Sequence, residues 1–462
     1  MRGIISWAAY LPYRRLDRGT IAAVAGQGGG KGTRTVASYD EDTTTMAVEA
    51  ARVAVAGRPS PELLLFGSVL PAYADKTNAT AIGAALRLRS TVPAFDLGSS
   101  TRSAVGGLLL ALSTDTRTLV TSADIRTGLP GSAEESAGGD AAAAFLIGDD
   151  NVAAEFLASG HATEEFVDRW RGPGEPRSKT WDEKFTEVSY LPLGEQAVDD
   201  ALAAAGLTLD QIAHVAIAAP TVRLAKAMAG KVKGAHVIDD YADTIGNCGA
   251  AQPGLLLAAL LEQAEPGQVV MLVSLADGAD AVILRATDAI VAARPAQSIA
   301  ERATSGGAVT YGKFLAWRQM LPVEPPRRPE PSRVSASAAA RSESWKFGFV
   351  GSRDTTTGLV HLPPSRVSRD GERTDEMEDA PMADVPGTVV TFTIDRLAYS
   401  PSPPVVFAIV DFDGGGRFPV ELTDIDPAEV AIGRRIEMTF RRLFTADGIH
   451  NYFWKGRLMR HG

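Results

Sequence analysis

The lone cysteine, Cys248, stands beside Asn247 in the glycine-rich stretch IGNCGAAQPG. A thiolate there would attack an acyl carbonyl, but small cysteines also fill cores well, and that is the plainer reading. A second set of possible nucleophiles is the hydroxyl run Ser99, Ser100, Thr101 and Ser103 in GSSTRS. Hydroxyls need a base beside them at neutral pH. Just ahead of an apolar helical stretch, Ser99, Ser100 and Ser103 are expected to cap the helix instead. A third is the cluster Asp239, Asp240 and Tyr241 in IDDYAD, where a carboxylate and a phenol could drive aldol or hydrolytic chemistry by proton transfer alone. His161, His214 and His236 are scattered and read as structural or surface groups. The stretch GQGGGKG (26–32) lacks the spacing of a phosphate-binding loop and reads as a surface loop.

The elements that must position these groups are legible from pattern. The chain of 462 residues is 45% hydrophobic and 22% charged, a composition of folded globular proteins and long enough for more than one domain. Its net charge of -10 argues against a general affinity for nucleic acid or anionic membrane. One cysteine excludes a disulfide framework and a cysteine-based zinc cluster. With no signal-like N-terminus and no long apolar run, a cytoplasmic protein is expected. Up to about residue 290, short apolar strands such as LLLFGSVL (63–70) and VVMLVSLAD (269–277) alternate with helical stretches such as TTTMAVEAARVAVAG (43–57), the rhythm of a layered α/β protein. That rhythm runs twice, over 1–165 and 166–295, and suggests a duplication. The Pro-rich segment 296–344 reads as a linker, and the alternating β pattern over 386–462 as a small barrel.

Several stretches carry a resemblance. GIISWAAYLPYRRL (3–16), YDEDTTTMAVEAA (39–51), GSVLPAYADKTN (67–78), FDLGSSTRSAVGGL (95–108), SADIRTGLPGSAEESAGGDAAAAFLIG (122–148) and IGNCGAAQPGLLLAAL (245–260) occur in an order that resembles the 3-hydroxy-3-methylglutaryl-CoA synthase family of the thiolase superfamily. The resemblance implies a duplicated five-layer α-β-α-β-α domain, a coenzyme A thioester as ligand, and a homodimer through that domain. It puts Thr101 where the family has its nucleophilic cysteine, at a helix N-terminus that would favour a thiolate. Ala218 falls where the family has a histidine, and Val69 where it has an acid/base glutamate. Asn247 alone keeps a polar side chain of the kind the family sets around the thioester carbonyl. By the same resemblance Arg223, Lys226 and Lys231 in VRLAKAMAGKVKG (222–234) are candidate coenzyme A contacts, with a solvated helix face as the alternative.

The C-terminal part, from WKFGFVGSRDTTTGLVHLPPSRVS (345–368) through PGTVVTFTIDRLAYSPSPPVVFAIVDFDGGGRFPVELTD (386–424), resembles small acyl-CoA-associated proteins that join a zinc ribbon to an OB-fold barrel. The zinc-ligand positions fall on Asp354, Thr357 and Ser368, so the expectation is a metal-free ribbon over 345–385. Arg417 and Lys455 in the barrel are further candidate phosphate contacts. Taken together, the two resemblances imply a catalytically degenerate subunit that binds acyl-CoA and supports a separate thiolase subunit in an acyl-transfer or retro-aldol complex. The alternative is a stand-alone acyl-CoA enzyme with relocated catalytic residues. Nucleic acid, membrane and metal are not among the expected partners.

Overall fold

The computed structural model describes residues 1–460 apart from Pro176, Pro325 and Asp370. A 10-stranded sheet organises the first 290 residues. Its strands are β1 (Gly3–Tyr10), β2 (Leu63–Gly67), β3 (Ala94–Leu97), β4 (Thr118–Ile125), β5 (Asp140–Gly148), β6 (Ala154–Ala162), β7 (Ile212–Ala218), β8 (His236–Val237), β9 (Val269–Leu275) and β10 (Ala279–Ala286). They lie in the order β8-β7-β9-β10-β6-β1-β5-β4-β2-β3. Within the first half, β2 pairs parallel with β3 and β4, whereas β5 pairs antiparallel with β4 and β1. The second half repeats this, with β7 parallel to β8 and β9, and β10 antiparallel to β9 and β6. Equal strand order and equal polarity in both halves are the structural counterpart of the duplication read from the rhythm.

Within the sheet, the two halves join where Gly3 and Ile4 of β1 pair with Glu155 and Ala154 of β6. Beyond that seam they part, and α2 (Ser103–Leu112) and α5 (Gln252–Gln263) fill the space between them, with Leu108, Leu112, Leu256 and Leu260 packed against Trp7, Val120 and Leu272. Strands buried on both faces need continuous apolar sequence, and β1 is buried at every residue. Outside the first half lies α1 (Thr43–Val55); outside the second lie α3 (Glu183–Ala205) and α4 (Val222–Ala229). The result is the five-layer α-β-α-β-α arrangement.

Helix α1 begins at a capping box: the Asp42 carboxylate accepts the Thr45 N–H at 2.9 Å, and the Thr45 hydroxyl returns to the Asp42 N–H at 2.9 Å. Residues 43–51 of α1 are all buried, because the helix has the sheet on one side and the C-terminal barrel on the other. That barrel is closed from β11 (Gly387–Asp395), β12 (Val405–Phe412), β13 (Arg417–Leu422), β14 (Arg435–Ala446) and β15 (Ile449–Leu458), in the order β11-β12-β13-β15-β14. A three-stranded ribbon sheet (Val350–Asp354, Val360–His361, Met377–Pro381) precedes it, and Trp345 ties the two together through ring contacts with Phe349, Phe418 and Phe453.

The expected linker over 296–344 needs correction in its first part. Gly307–Ala308 adds a parallel strand to Arg14–Asp17, and the helix Tyr311–Trp317 buries Tyr311, Phe314 and Leu315 against Leu16, Ile21 and Val36. Its aromatic residues are spaced for helical burial, which the Pro content further along obscures.

Candidate functional site

Strand β3 ends at Leu97, and residues 98–102 turn into α2. The turn is held from several sides: Ser103 donates to the Gly98 carbonyl, Ser100 donates to the Asp277 carboxylate, and Ser100 Oγ accepts the Arg102 N–H at 3.1 Å. Arg102 grips Asp280 of β10 with two nitrogens, at 2.8 and 3.0 Å. These bonds correct the expectation of serine caps: the N-cap of α2 is Arg102 and it makes no side-chain cap. Thr101 sits inside this clamped turn and faces a cavity of about 620 Å³. Among the described residues no histidine or carboxylate lies within hydrogen-bond distance of its hydroxyl.

The structure brings Thr101, Val69, Ala218 and Asn247 to the wall of that one cavity. The polar groups of Asn247 are occupied by backbone: Nδ2 donates to the Ala219 carbonyl after β7 at 2.9 Å and Oδ1 accepts the Gly249 N–H of its own loop at 2.9 Å. Cys248 points away from the cavity and is fully buried. Burial and the nearby Asp140 push its thiol far above the usual range, so it is not a thiolate at neutral pH. Asp239 and Asp240 accept the N–H groups of Tyr241 and Ala242, at 2.8 and 2.9 Å, and thus build a turn outside the cavity.

Groups that the sequence reading passed over complete the cavity. Beneath the Asn247 loop, Asp124 Oδ2 accepts the Ala250 N–H at 2.9 Å. A Cβ on Gly249, at φ +55°, would come within 2.2 Å of that oxygen, so the close approach requires glycine. Burial pushes the Asp124 carboxyl up to about 6, against the pull of Arg126. Arg126 itself donates to Glu134 at 2.7 Å, and Glu134 is held from the other side by both terminal nitrogens of Arg169, at 2.6 and 2.9 Å. Although burial pushes Glu134 up, Arg126 and Arg169 hold its carboxyl down at about 2. Arg169 opens a short hairpin, Arg169–Trp170 with Lys179–Thr180, whose Trp170, Arg171 and Glu175 also line the cavity. The buried arginine of SADIR was the available signal, since an unpaired charge inside an apolar run demands a partner. The arrangement is a chamber with an apolar patch from Val69, Leu70, Pro71 and Ala218, and with Arg126, Arg169 and Arg171 beside Asp168, Glu175 and Asp277 on its wall.

The proposed coenzyme A contacts do not line the cavity. Arg223 pairs with Glu187 at 2.5 Å and Lys231 with Glu195 at 2.6 Å, and Lys226 is exposed on α4. Helix α4 starts directly after Pro220, which does line the cavity. Arg417 pairs with Asp411 on the barrel surface. Lys455 is corrected outright: it is fully buried, with Asp40 at 3.0 Å and Glu421 at 2.5 Å, and cannot meet a phosphate. In the ribbon, Asp354 Oδ1 accepts the N–H groups of Thr356 and Thr357, at 2.8 and 2.9 Å. One carboxylate, already used by its own turn, with the hydroxyls of Thr357 and Ser368, does not fit the thiolate or imidazole set of a structural zinc site.

Comparisons with known proteins match these two parts separately. The hydroxymethylglutaryl-CoA synthase of Archaeoglobus fulgidus is 30% identical over 345 residues, covering 70% of this chain and 99% of that protein. The hydroxymethylglutaryl-CoA synthase of Aeropyrum pernix is 31% identical over 346 residues, covering 70% and 95%. Among solved structures, PksG, an HMG-CoA synthase from Bacillus subtilis, superposes with a TM-score of 0.60 at 20% identity, over 69% of this chain and 89% of its own. An HMG-CoA synthase complexed with CoA gives 0.59 at 16% identity, over 68% and 89%. Residues 380–441 match the family model described as ChsH2, C-terminal OB-fold domain.

Proposed function

The chain belongs to the hydroxymethylglutaryl-CoA synthase family, and on that premise we propose that it is a catalytically degenerate member, which binds acyl-CoA and supports a thiolase subunit in an acyl-transfer or retro-aldol complex. One observation carries the reading: Thr101, Ala218 and Val69, which by the resemblance stand where the family has its cysteine, histidine and glutamate, line one cavity. A threonine hydroxyl without a base does not form an acyl-enzyme at a useful rate, and a methyl or isopropyl group moves no proton.

What remains is suited to holding. The apolar wall from Val69, Leu70, Pro71 and Ala218 would take the acyl chain, and Arg171 is the lining guanidinium without a carboxylate partner among the described residues. Past Pro220, the exposed cations Arg223 and Lys226 of α4 are the groups that the coenzyme A phosphates would meet at the rim. The fused barrel, which matches the C-terminal OB-fold domain of ChsH2, is the candidate docking part for that subunit. A thiolase would then supply the cysteine that this chain lacks at position 101.

The test is to purify the full chain from its native host and determine co-purifying proteins and native mass, then assay acyl-CoA turnover by the chain alone and with any thiolase found. A stoichiometric thiolase, with turnover only in the complex, is the expected result. A chain that migrates without a thiolase and turns over acyl-CoA by itself contradicts the proposal.

A further inference from the structure

A second cleft, of about 740 Å³, lies where the chain end of β1, the segment 295–306 and the barrel meet over the C-terminal half of α1. It is larger than the chamber around Thr101 and shares none of its wall. Its carboxylates are already matched. Glu49 faces Arg52 at 2.8 Å and Arg457 at 3.6 Å, Asp384 faces Arg52 at 2.8 Å, Glu437 faces Arg457 at 2.8 Å, and Asp424 faces Arg441 at 2.6 Å.

Of two guanidinium groups on the opposite wall, Arg15 has no carboxylate partner among the described residues and Arg302 has a long one, Glu262 at 3.9 Å. Arg15 is nine-tenths buried, yet it donates only to backbone carbonyls, those of Pro12, Arg14 and Arg302, and its Nε has no acceptor. Arg302 donates to the carbonyls of Ala9 and Ser298; its Nη2 has no hydrogen-bond acceptor, and Glu262 lies 3.9 Å from it. A buried cation without a counter-ion is costly, and burial lowers the Arg15 pKa to about 10. Between these cations and the ion-paired wall the surface is apolar, from Val53, Ala56, Ala296, Met438, Leu458 and Met459. Beside it the Arg460 guanidinium lies flat over the Tyr13 ring at 4.0 Å.

We propose that this cleft is a binding site for an amphiphilic organic anion, with a single carboxylate or phosphate head at Arg15 and Arg302 and an apolar body against Val53, Met438 and Met459. The head supplies a counter-ion to Arg15 and adds to Glu262 at Arg302, and the body covers apolar wall that water otherwise wets. Because the wall is shared by the synthase-like domain and the barrel, the bound anion also fastens one to the other.

Isothermal titration of the full chain with octanoate, octyl phosphate, octanol and inorganic phosphate tests this. Octanoate or octyl phosphate binds at one per chain in this cleft, and the tighter of the two identifies the head. Octanol and inorganic phosphate bind about tenfold more weakly or not at all, since each lacks one half of the recognition. Val53→Trp, which fills the cleft from the exposed side of α1, and Arg15→Gln each weaken binding by about tenfold or more. Ala219→Trp, which fills the other cavity, leaves it intact. Failure of both amphiphiles to bind, octanol binding as well as octanoate, or loss of binding in Ala219→Trp but not in Val53→Trp overturns the proposal.

Discussion

The chamber around Thr101 and the seam between α1 and the barrel treat charge in opposite ways. In the chamber, Thr101, Ala218 and Val69 line the wall, and among the described residues none of their side chains has a charged partner. In the seam, each acidic residue of the stretch 39–49 reaches the barrel. Asp40 meets Lys455 at 3.0 Å and the Thr423 hydroxyl at 2.8 Å, and Glu41 meets Arg441 at 2.5 Å. Asp42 accepts from the Tyr452 hydroxyl at 2.7 Å, and Glu49 accepts the Phe440 N–H at 3.0 Å. The difference teaches where this molecule concentrates matched charge: in joining the barrel to the synthase-like domain. A buried ion network is weak as net stabilisation but severe to break on one side, so it fixes one docking geometry.

That contrast can be broken most forcefully at the seam. Arg441→Leu leaves Asp40, Glu41 and Asp424 facing one another without their common cation. It is expected to cost about 3–5 kcal/mol in urea unfolding, with the barrel detaching before the rest unfolds. Lys455→Met is of the same size, for the same reason at Asp40 and Glu421. Tyr452→Phe removes one hydrogen bond to a charged group and costs about 1.5–3 kcal/mol. Glu41→Gln is the exception within the seam. Burial, and after it the neighbouring Asp424, pushes the Glu41 carboxyl up to about 7 against Arg441. The protonated form is thus already accessible there, and the amide costs less than about 1 kcal/mol at pH 6.

Single carboxyls in the two regions respond oppositely to pH. Asp40 and Glu49 are held below their usual values: burial opposes this, but Lys455 and Arg441 prevail at Asp40, and Arg52 and Arg457 at Glu49. Their contribution is present above the unfolded value and is lost as pH falls through the folded one. Asp124, raised by burial to about 6, binds its proton more tightly when folded, so its contribution falls as pH rises from about 4 to 6. Asp124→Asn should flatten that part of a thermal-unfolding pH series by about 2 kcal/mol, with the Ala250 N–H still accepted by the amide oxygen. The smallest stability effect is expected at the chamber itself. Thr101→Ala changes stability by less than about 0.5 kcal/mol, because no described hydrogen bond depends on the Thr101 hydroxyl.

Much of this architecture is legible in the sequence, and the exceptions have physical causes. Periodicity and punctuation locate the strands and helices of both halves because each buries a local, regular face. The order of motifs brings Val69, Thr101, Ala218 and Asn247 together. Lys455 is misread because it occupies an outward-facing position of β15, between Trp454 and Gly456, and only the docking of residues 39–42 buries it. Partners more than 400 residues apart leave no local trace. Ser100 is misread for a similar reason, since its partner Asp277 belongs to the other half. The helix Tyr311–Trp317 hides beside a Pro-rich run whose composition dominates the reading.

The central claim is chemical silence at position 101, and intact-mass spectrometry after incubation with acetyl-CoA addresses it most directly. In Thr101→Cys, the new thiol at the start of α2 is expected to attack the thioester, retain the acetyl group and release coenzyme A, whereas the native chain keeps its unmodified mass while binding the ligand saturably. An acetyl adduct on the native chain, or coenzyme A release by it without any partner, would contradict the account.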